Sequence, residues 1–341
     1  MKPLIAKMMM RLLLAGMAVA GIYLAGCKER SDYQEGNYEP PALAYQGETT
    51  GLERTMIVPT LDSPAEKGKN VIWCGSFQMA WDQMVKEVIR GPIQLSAAQE
   101  VASRLNQNRM DETDLIPGGY YAAAGKAEDG IIKKIHTDMA AKFPDVELPP
   151  LPGDPGDLVA YAYLTAAVKF TTSYFDHEGS FTDGENRKTL VSGFGLFQGH
   201  NSVNDKLAEQ IEILYTLKNM NNDSEPLSEF ALDLCRTSSP CQIIVACIPR
   251  QDSLQQTINS LWDKIKNWNG TDYERKFDSI DTLFVPDVNY KLTHHFWEII
   301  GNHILNQKCE EIFIAEALQR IQFRLDKSGA LVVSDAVITA C

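Results

Sequence analysis

The chain has 341 residues, of which 44% are apolar and 23% charged, and its formal net charge is −13. This ordinary globular composition excludes the collagen-like, disordered and disulfide-framework classes, and the length suffices for a sizeable core in one large domain or two small ones. The acidic balance provides no basic surface for phosphates and therefore argues against a nucleic-acid partner.

The first 26 residues have the pattern of a secretory signal. Three basic residues, Lys2, Lys7 and Arg11, come first, and an uncharged run over 12–26 follows them. That run has 15 residues, fewer than the ~20 that a membrane-spanning helix needs. It ends in Leu-Ala-Gly-Cys at 24–27, which resembles the bacterial lipobox.

The lipobox resemblance implies cleavage before Cys27 and attachment of several fatty acyl chains, such as palmitate, to this residue. Several chains hold a protein firmly on a lipid bilayer, whereas one is marginal. The alternative is a buried cysteine after an ordinary signal. Lys28 stands where an inner-membrane retention signal has Asp, so we expect a location in the cell envelope at the outer membrane.

A polar segment follows, and the folded domain comes after it. Residues 28–51 are rich in Glu, Gly, Tyr and Pro without an apolar period, which predicts a disordered leash. The alternative is that Tyr38 and Tyr45 pack on the domain. We therefore expect an acylated N-terminus and tether over 27–66 and one folded domain over 67–341.

Helices are predicted mainly in the first half of this domain. After a short buried strand at 70–73, apolar residues on one face predict a helix over 76–90, ended by Gly91-Pro92. Ser96 and Gln99 match a capping box that begins a second helix, and apolar residues over 131–139 indicate a third. The proline-rich stretch 144–156 is predicted to be a loop.

Strands are predicted mainly in the second half. Their ranges are 158–170, 190–197, 210–217, 230–234, 241–248, 281–285, 321–325 and 331–339. Two further helices are expected, one from a capping box at Ser253 and one over 293–305. Helices in the first half and strands in the second predict an α+β layered domain.

Seven cysteines are present, and export permits disulfides. Cys235 and Cys241 flank a turn-forming stretch between the two arms of a predicted hairpin, and cross-strand cysteines can meet disulfide geometry, so we predict a bond between them. Cys74 and Cys247 lie in apolar contexts and are expected to be free core residues.

The order of elements over 67–341 resembles that of serpins. The resembling segments are 70–76, 158–175, 281–288, 299–301 and 315–329, the last containing Phe-Arg-Leu-Asp-Lys-Ser-Gly at 323–329. Each motif is weak, and their order carries the resemblance. It implies a serpin-like α+β fold, with helices packed on a large, mainly antiparallel twisted sheet and with a second, smaller sheet. It also implies a hinge-like segment at Lys327, Ser328, Gly329 and Ala330.

The sequence departs from the serpin pattern after the hinge. Only 12 residues follow Gly329, where an inhibitory serpin has a reactive loop and three further strands. Residues 330–341 are β-favouring, and their even-numbered positions are mostly small. We therefore expect this tail to be inserted permanently in the main sheet, as an antiparallel hairpin with the preceding strand. The alternative is a hairpin at a sheet edge.

Signatures of enzymes are missing from the sequence. It has no G-x-S-x-G and no H-E-x-x-H motif, and 119–126, which superficially resembles a P-loop, is interpreted as a loop. His294, His295 and His303 are placed on one predicted helix without metal-ligand spacing. The acidic residues at 176–178 are interpreted as a solvated turn. No catalytic residue, metal or cofactor is expected.

Three functions remain open at this point. The first is a non-catalytic, serpin-like lipoprotein with an unknown protein or small-molecule ligand. The second is a serine protease inhibitor of the serpin type. The third is a divergent enzyme with a site that the sequence does not reveal.

Overall fold

The computed structural model of the protein describes residues 20–25, 54–107, 110, 115–182, 188–197, 202–217, 229–236, 242–271, 275–277, 282–307, 309 and 311–341. The helices are α1 Ser76–Gln83, α2 Gln99–Gln107, α3 Ile131–Lys142, α4 Ser202–Gln210 and α5 Leu254–Asn267. The early strands are β1 Ala20–Ala25, β2 Thr55–Ile57, β3 Asn70–Ile72, β4 Tyr120–Lys126, β5 Leu158–Lys169, β6 Phe175–Thr182 and β7 Lys188–Leu196. The later strands are β8 Glu212–Leu217, β9 Glu229–Asp233, β10 Gln242–Cys247, β11 Leu283–Pro286, β12 Val288–His295, β13 Ile314–Asp326 and β14 Gly329–Ala340.

The largest sheet has five strands in the order β12-β13-β14-β5-β4, and all its pairs are antiparallel. Strand β14 pairs with β13 at twelve positions and with β5 at twelve positions. Its hydrogen-bonding groups therefore face a neighbour on both sides. The prediction that the tail is inserted in the main sheet is confirmed, and the alternative of an edge hairpin is wrong.

The described residues also form three smaller sheets. Their orders are β1-β10-β9-β8, β11-β7-β6 and the parallel pair β2-β3. The α+β class and the large antiparallel sheet are thus confirmed. Strand β1 lies inside the predicted signal sequence and runs antiparallel to β10. In the part of the chain that the structure describes, no helix combines the length and apolar character needed to cross a membrane.

Both faces of β14 are buried. Successive side chains of a strand point to opposite faces, so the even- and odd-numbered residues of β14 lie in two different clusters. Its even-numbered residues join the core cluster that also contains α1, namely Ala330, Val332, Ala336, Ile338 and Ala340. Its odd-numbered residues Val333 and Val337 join the cluster beneath α3. The predicted alternation is confirmed. The small even-numbered residues leave room for α1 to approach the sheet.

The helical predictions are confirmed for α1, α3 and α5, with one irregularity. Helix α1 continues as a π-helical turn over Met84–Ile89 and ends at Arg90, which has φ 58°. Helix α5 has the expected cap, since the Ser253 side chain accepts a hydrogen bond from the Gln256 N–H at 3.2 Å.

The predicted second helix is confirmed as α2, but the prediction that Ser96 caps it is wrong. Helix α2 begins at Gln99, and the Asn302 Oδ1 accepts the N–H groups of Ala97 and Ala98 at 2.9 and 3.0 Å. The Ser96 hydroxyl accepts the His303 N–H instead, at 3.0 Å. A side chain more than 200 residues away in sequence therefore performs the capping that a local motif was expected to perform.

The helix predicted over 293–305 is also wrong. Residues up to His295 belong to β12, which pairs with β13 at eight positions, and turns follow. Phe296, Ile299 and Ile304 are buried, although they do not lie on a helix. Strand pairing with β13 satisfies the backbone of 288–295 and overrides the local preference of this segment.

Two segments interpreted as irregular are strands. The P-loop-like stretch is β4, the edge strand beside β5, and the acidic residues at 176–178 lie within β6. The packed domain also begins before residue 67, since β2 pairs with β3 and Val58 and Leu61 are buried. Strands such as these are completed by neighbours that local sequence does not reveal.

Candidate ligand-binding groove

A surface groove of about 730 Å³ lies between α5 and the end of β8. One face of α5 packs against the four-stranded sheet. Its buried residues there are Leu254, Ile258 and Leu261. The groove is lined by residues outside this buried face: Tyr215, Thr216, Leu217, Gln251, Gln256, Asn259, Ser260, Asp263, Lys264, Asn267, Trp268 and Asn269. Its size falls within the range of small-molecule sites, about 300–1,000 Å³.

Amide side chains dominate this lining. Five of the twelve lining residues are Gln or Asn: Gln251, Gln256, Asn259, Asn267 and Asn269. Within the described part of the chain, the side chains of Gln256, Asn267 and Asn269 have no hydrogen-bond partner, and Asn259 accepts one bond from Gln255 at 2.9 Å. The groove therefore offers several donors and acceptors that are free to bind a ligand.

The positive charge in the groove is already neutralised. The Lys264 Nζ lies 2.8 Å from the Glu229 carboxylate and 5.5 Å from the centroid of the Tyr215 ring. The Tyr215 hydroxyl donates to the same carboxylate at 3.3 Å. The hydrogen bond to Glu229 raises the pKa of Lys264, and burial followed by the Glu229 charge raises the pKa of Tyr215.

Trp268 forms an apolar wall at the end of α5. The Arg275 guanidinium lies 4.9 Å from the indole centroid, and it donates to the carbonyl oxygens of Gly270 at 3.2 Å and of Trp268 at 3.3 Å. A Cβ at Gly270 would come within 2.4 Å of an indole carbon. Glycine at this position therefore lets the indole lie against the backbone, which fixes the wall.

The hinge-like residues occupy a tight turn. Lys327 and Ser328 join β13 to β14, and Lys327 forms an ion pair with Asp176 of β6. Gly329 has φ 148°, and a Cβ there would lie 1.9 Å from the Val168 carbonyl oxygen. Glycine is required at this position by both conformation and space.

The predicted lipid and disulfide sites lie partly beyond what the structure describes. Cys27 and Cys241 are outside the described residues. Cys235 is buried and accepts a hydrogen bond from the Ile243 N–H at 3.1 Å on its sulfur. No disulfide joins cysteines among the described residues, and the Cys235–Cys241 bond stays a prediction.

The histidines do not converge on one site. His294 and His295 are neighbours on β12, and the His295 Nδ1 lies 2.8 Å from Glu316. Burial, and then the adjacent His295, lower the pKa of His294 to about 4. His303 lies beyond the strand, in an isolated bridge to Phe313. Across the described ranges, no group of three or more His, Cys, Asp or Glu residues is arranged to hold a metal ion.

Sequence reasoning identified α5 but missed the groove. It used only the apolar stripe of this helix, whereas the groove is formed by the polar residues beside that stripe. The concentration of amides over 251–269 is the signal that was available. The second wall, β8, becomes a neighbour of α5 only in the folded chain.

No protein-family model and no curated protein matches the chain. Similar solved structures are serpins or serpin relatives. A cleaved viral serpin, CrmA, has 8% identity and a TM-score of 0.42, covering 87% of this chain and 97% of its own. Human thyroxine-binding globulin with a cleaved reactive loop has 11% identity and a TM-score of 0.41, covering 78% and 89%. Lamprey angiotensinogen with a cleaved reaction loop has 8% identity and a TM-score of 0.38, covering 78% of this chain and 96% of its own. At these values the likeness assigns no function.

Proposed function

We propose that this protein is a membrane-anchored bacterial lipoprotein whose serpin-like domain inhibits no protease and instead binds a ligand or partner. The observation that carries the proposal is the position of β14 between β13 and β5. By the resemblance noted in the sequence, β14 follows the hinge and corresponds to the bait segment of an inhibitory serpin. A strand paired on both sides cannot be presented to a protease.

Side-chain contacts also hold β14 in place. The Ser334 hydroxyl lies 2.7 Å from that of Ser76 on α1 and donates to the Arg320 carbonyl oxygen at 2.7 Å. The Asp335 carboxylate forms a two-point ion pair with the Arg320 guanidinium, in which Nε lies 2.9 Å from Oδ1. Removing β14 from the sheet would break the two hydrogen bonds of Ser334 and the ion pair of Asp335, which costs free energy because these contacts are buried or partly buried.

Incubation with proteases tests the proposed lack of inhibition. The full chain is mixed with trypsin, chymotrypsin and elastase, with a known inhibitory serpin as the positive control. We expect no covalent complex on denaturing gels and no increase in thermal stability after limited digestion. A covalent band shift with any of the three enzymes would contradict the proposal and favour the inhibitor.

Membrane fractionation tests the anchor. We expect Cys27→Ser to release the protein from the membrane fraction, since its acyl chains would be absent. The matched control is Cys341→Ser, which changes an exposed cysteine in the folded domain and should leave the protein on the membrane. A Cys27→Ser variant that still pellets and resists carbonate would show that the lipobox interpretation is wrong. Lys28→Asp should move the protein towards the inner-membrane fraction.

A further inference from the structure

We propose that the groove between α5 and β8 binds a neutral carbohydrate chain. This inference rests on the proposed function, because it names the ligand of a domain taken to be a binding protein. Three features of the groove carry it: the line of free amides, the neutralised lysine and the fixed aromatic wall.

The polar groups form a line along α5. Gln256, Asn259, Asp263 and Asn267 are three or four residues apart, and residues at this spacing share one face of a helix. At 1.5 Å per residue the line extends over about 16 Å. It is therefore longer than a single sugar ring and suits a chain of several.

Amides match the chemistry of sugar hydroxyls. Each primary amide has an acceptor oxygen and two N–H donors, and a hydroxyl both donates and accepts. A pair of adjacent hydroxyls can thus bind both ends of one Asn or Gln side chain. An apolar peptide would instead cover the amides of Gln256, Asn267 and Asn269 without satisfying them, which costs free energy.

Charge in the groove disfavours anionic ligands. Of its two charged residues, Lys264 is paired with Glu229, whereas Asp263 is exposed and has no ion pair in the described structure. Phosphate or sulfate would meet a lysine that already has a carboxylate at 2.8 Å. A neutral ligand avoids both the repulsion from Asp263 and competition with Glu229.

The aromatic residues supply the apolar part of the site. Trp268 is held by Arg275 and Gly270, and Tyr215 is held by Glu229. Sugar rings have C–H faces that pack on such surfaces. Because both aromatic side chains are already fixed, little side-chain freedom is lost on binding.

Calorimetry on the full chain tests the inference. The protein is purified from membranes in lauryldimethylamine oxide, which has no sugar headgroup, and titrated with maltohexaose, cellohexaose, chitohexaose and mannohexaose. We expect at least one to bind with an affinity that changes little between about 0.05 and 0.5 M salt, since no ion pair forms with a neutral ligand. Asn259→Ala, and the double variant Asn267→Ala with Asn269→Ala, should each weaken binding about three- to tenfold per lost hydrogen bond.

The control variant is Asn289→Ala, an exposed amide on β12 away from the groove, which should leave the affinity unchanged. Failure of all four hexasaccharides and of a broad glycan array to bind would overturn the inference. Equal affinity in groove and control variants, or binding only of sulfated glycans in low salt, would also overturn it. None of these outcomes bears on the protease or membrane tests, so the two proposals can fail separately.

Discussion

The centre of the five-stranded sheet and the edge of the four-stranded sheet differ in what completes them. Strand β14 is held by β13 and β5, which belong to the same folded domain. Strand β10 has β9 on one side and Ala20–Ala25 on the other, and the latter is the segment that a lipobox cleavage would remove. No strand of the main sheet comes from the N-terminal segment, whereas cleavage at the predicted lipobox would remove one of the two neighbours of β10.

The largest effect is expected from deleting residues 330–341, which removes the central strand. Domains of ordinary stability have a free energy of unfolding of about 5–15 kcal/mol. The free energy lost with two rows of strand pairing and two buried faces should exceed this. We expect no cooperative thermal transition by circular dichroism. Addition of a synthetic peptide of residues 330–341 should restore part of the cooperative transition of the truncated chain. A truncated chain that still melts cooperatively, or fast amide exchange over 331–339 in the intact chain, would contradict the assigned role of β14.

The next effect concerns the ion pair that β14 makes with β13. Arg320→Met leaves the Asp335 carboxylate, 4% exposed, without its partner and should cost about 3–5 kcal/mol in urea unfolding. Arg320→Met combined with Asp335→Leu should recover much of this, because two apolar residues replace a buried pair. Equal destabilisation by the single and the double variant would show that the ion pair is not the cause.

Hydrogen exchange compares the two sheets directly. A chain that begins at Cys27 should lose amide protection in β10 relative to the full chain by about tenfold or more, equivalent to 1.4 kcal/mol, while β14 stays unchanged. Ile22→Pro in the full chain is the matched variant, since proline disrupts strand pairing without shortening the chain. Unchanged β10 protection in both would show that β1 adds nothing to this sheet.

A pH effect is expected at β12, the edge of the main sheet. The pKa of His294 is about 4 in the folded chain, against an ordinary value of 6.5, because burial favours its neutral form. Its contribution to stability is present above about pH 6.5 and lost as pH falls towards about 4, by roughly 1–3 kcal/mol after allowance for partial exposure. His294→Gln should remove this loss and His295→Gln should keep it. The same acid profile in all three proteins would contradict the assignment.

A further effect on stability is expected from the predicted disulfide at the hairpin of β9 and β10. A bond between Cys235 and Cys241 closes a short loop and should contribute about 1–3 kcal/mol at most. Unreduced peptide mapping of exported protein should recover the two cysteines in one linked peptide, with Cys247 as the free-thiol control. A free thiol at Cys235 in exported material would show that the bond does not form.

Sequence reasoning succeeded where a local pattern and the tertiary environment agreed. The alternation in β14 predicts two buried faces. In the structure one face lies in the cluster of α1 and the other in the cluster of α3. The Ser253 cap needs only residues within one helical turn. These features follow from backbone periodicity and short-range hydrogen bonds, and both are readable along the chain.

It failed where a distant partner decided the outcome. A helix was expected over 293–305, but pairing of β12 with β13 places residues 293–295 in a strand. Asn302 took the capping role expected of Ser96. In both places a remote segment satisfied backbone groups that local residues were expected to satisfy.

The sequence by itself determined the α+β class, the strand that follows the turn at 327–328, and the lipobox-like tetrad that predicts the anchor. The sequence predicted that β14 is inserted in the sheet, and the tertiary structure excluded the alternative of an edge hairpin. Only the tertiary structure decided that β1 pairs with β10. It also decided that the amides of α5 line a groove with Tyr215 and Trp268. Periodicity specifies which face of a segment is buried, but the neighbour that buries it is chosen by packing among segments far apart in the chain.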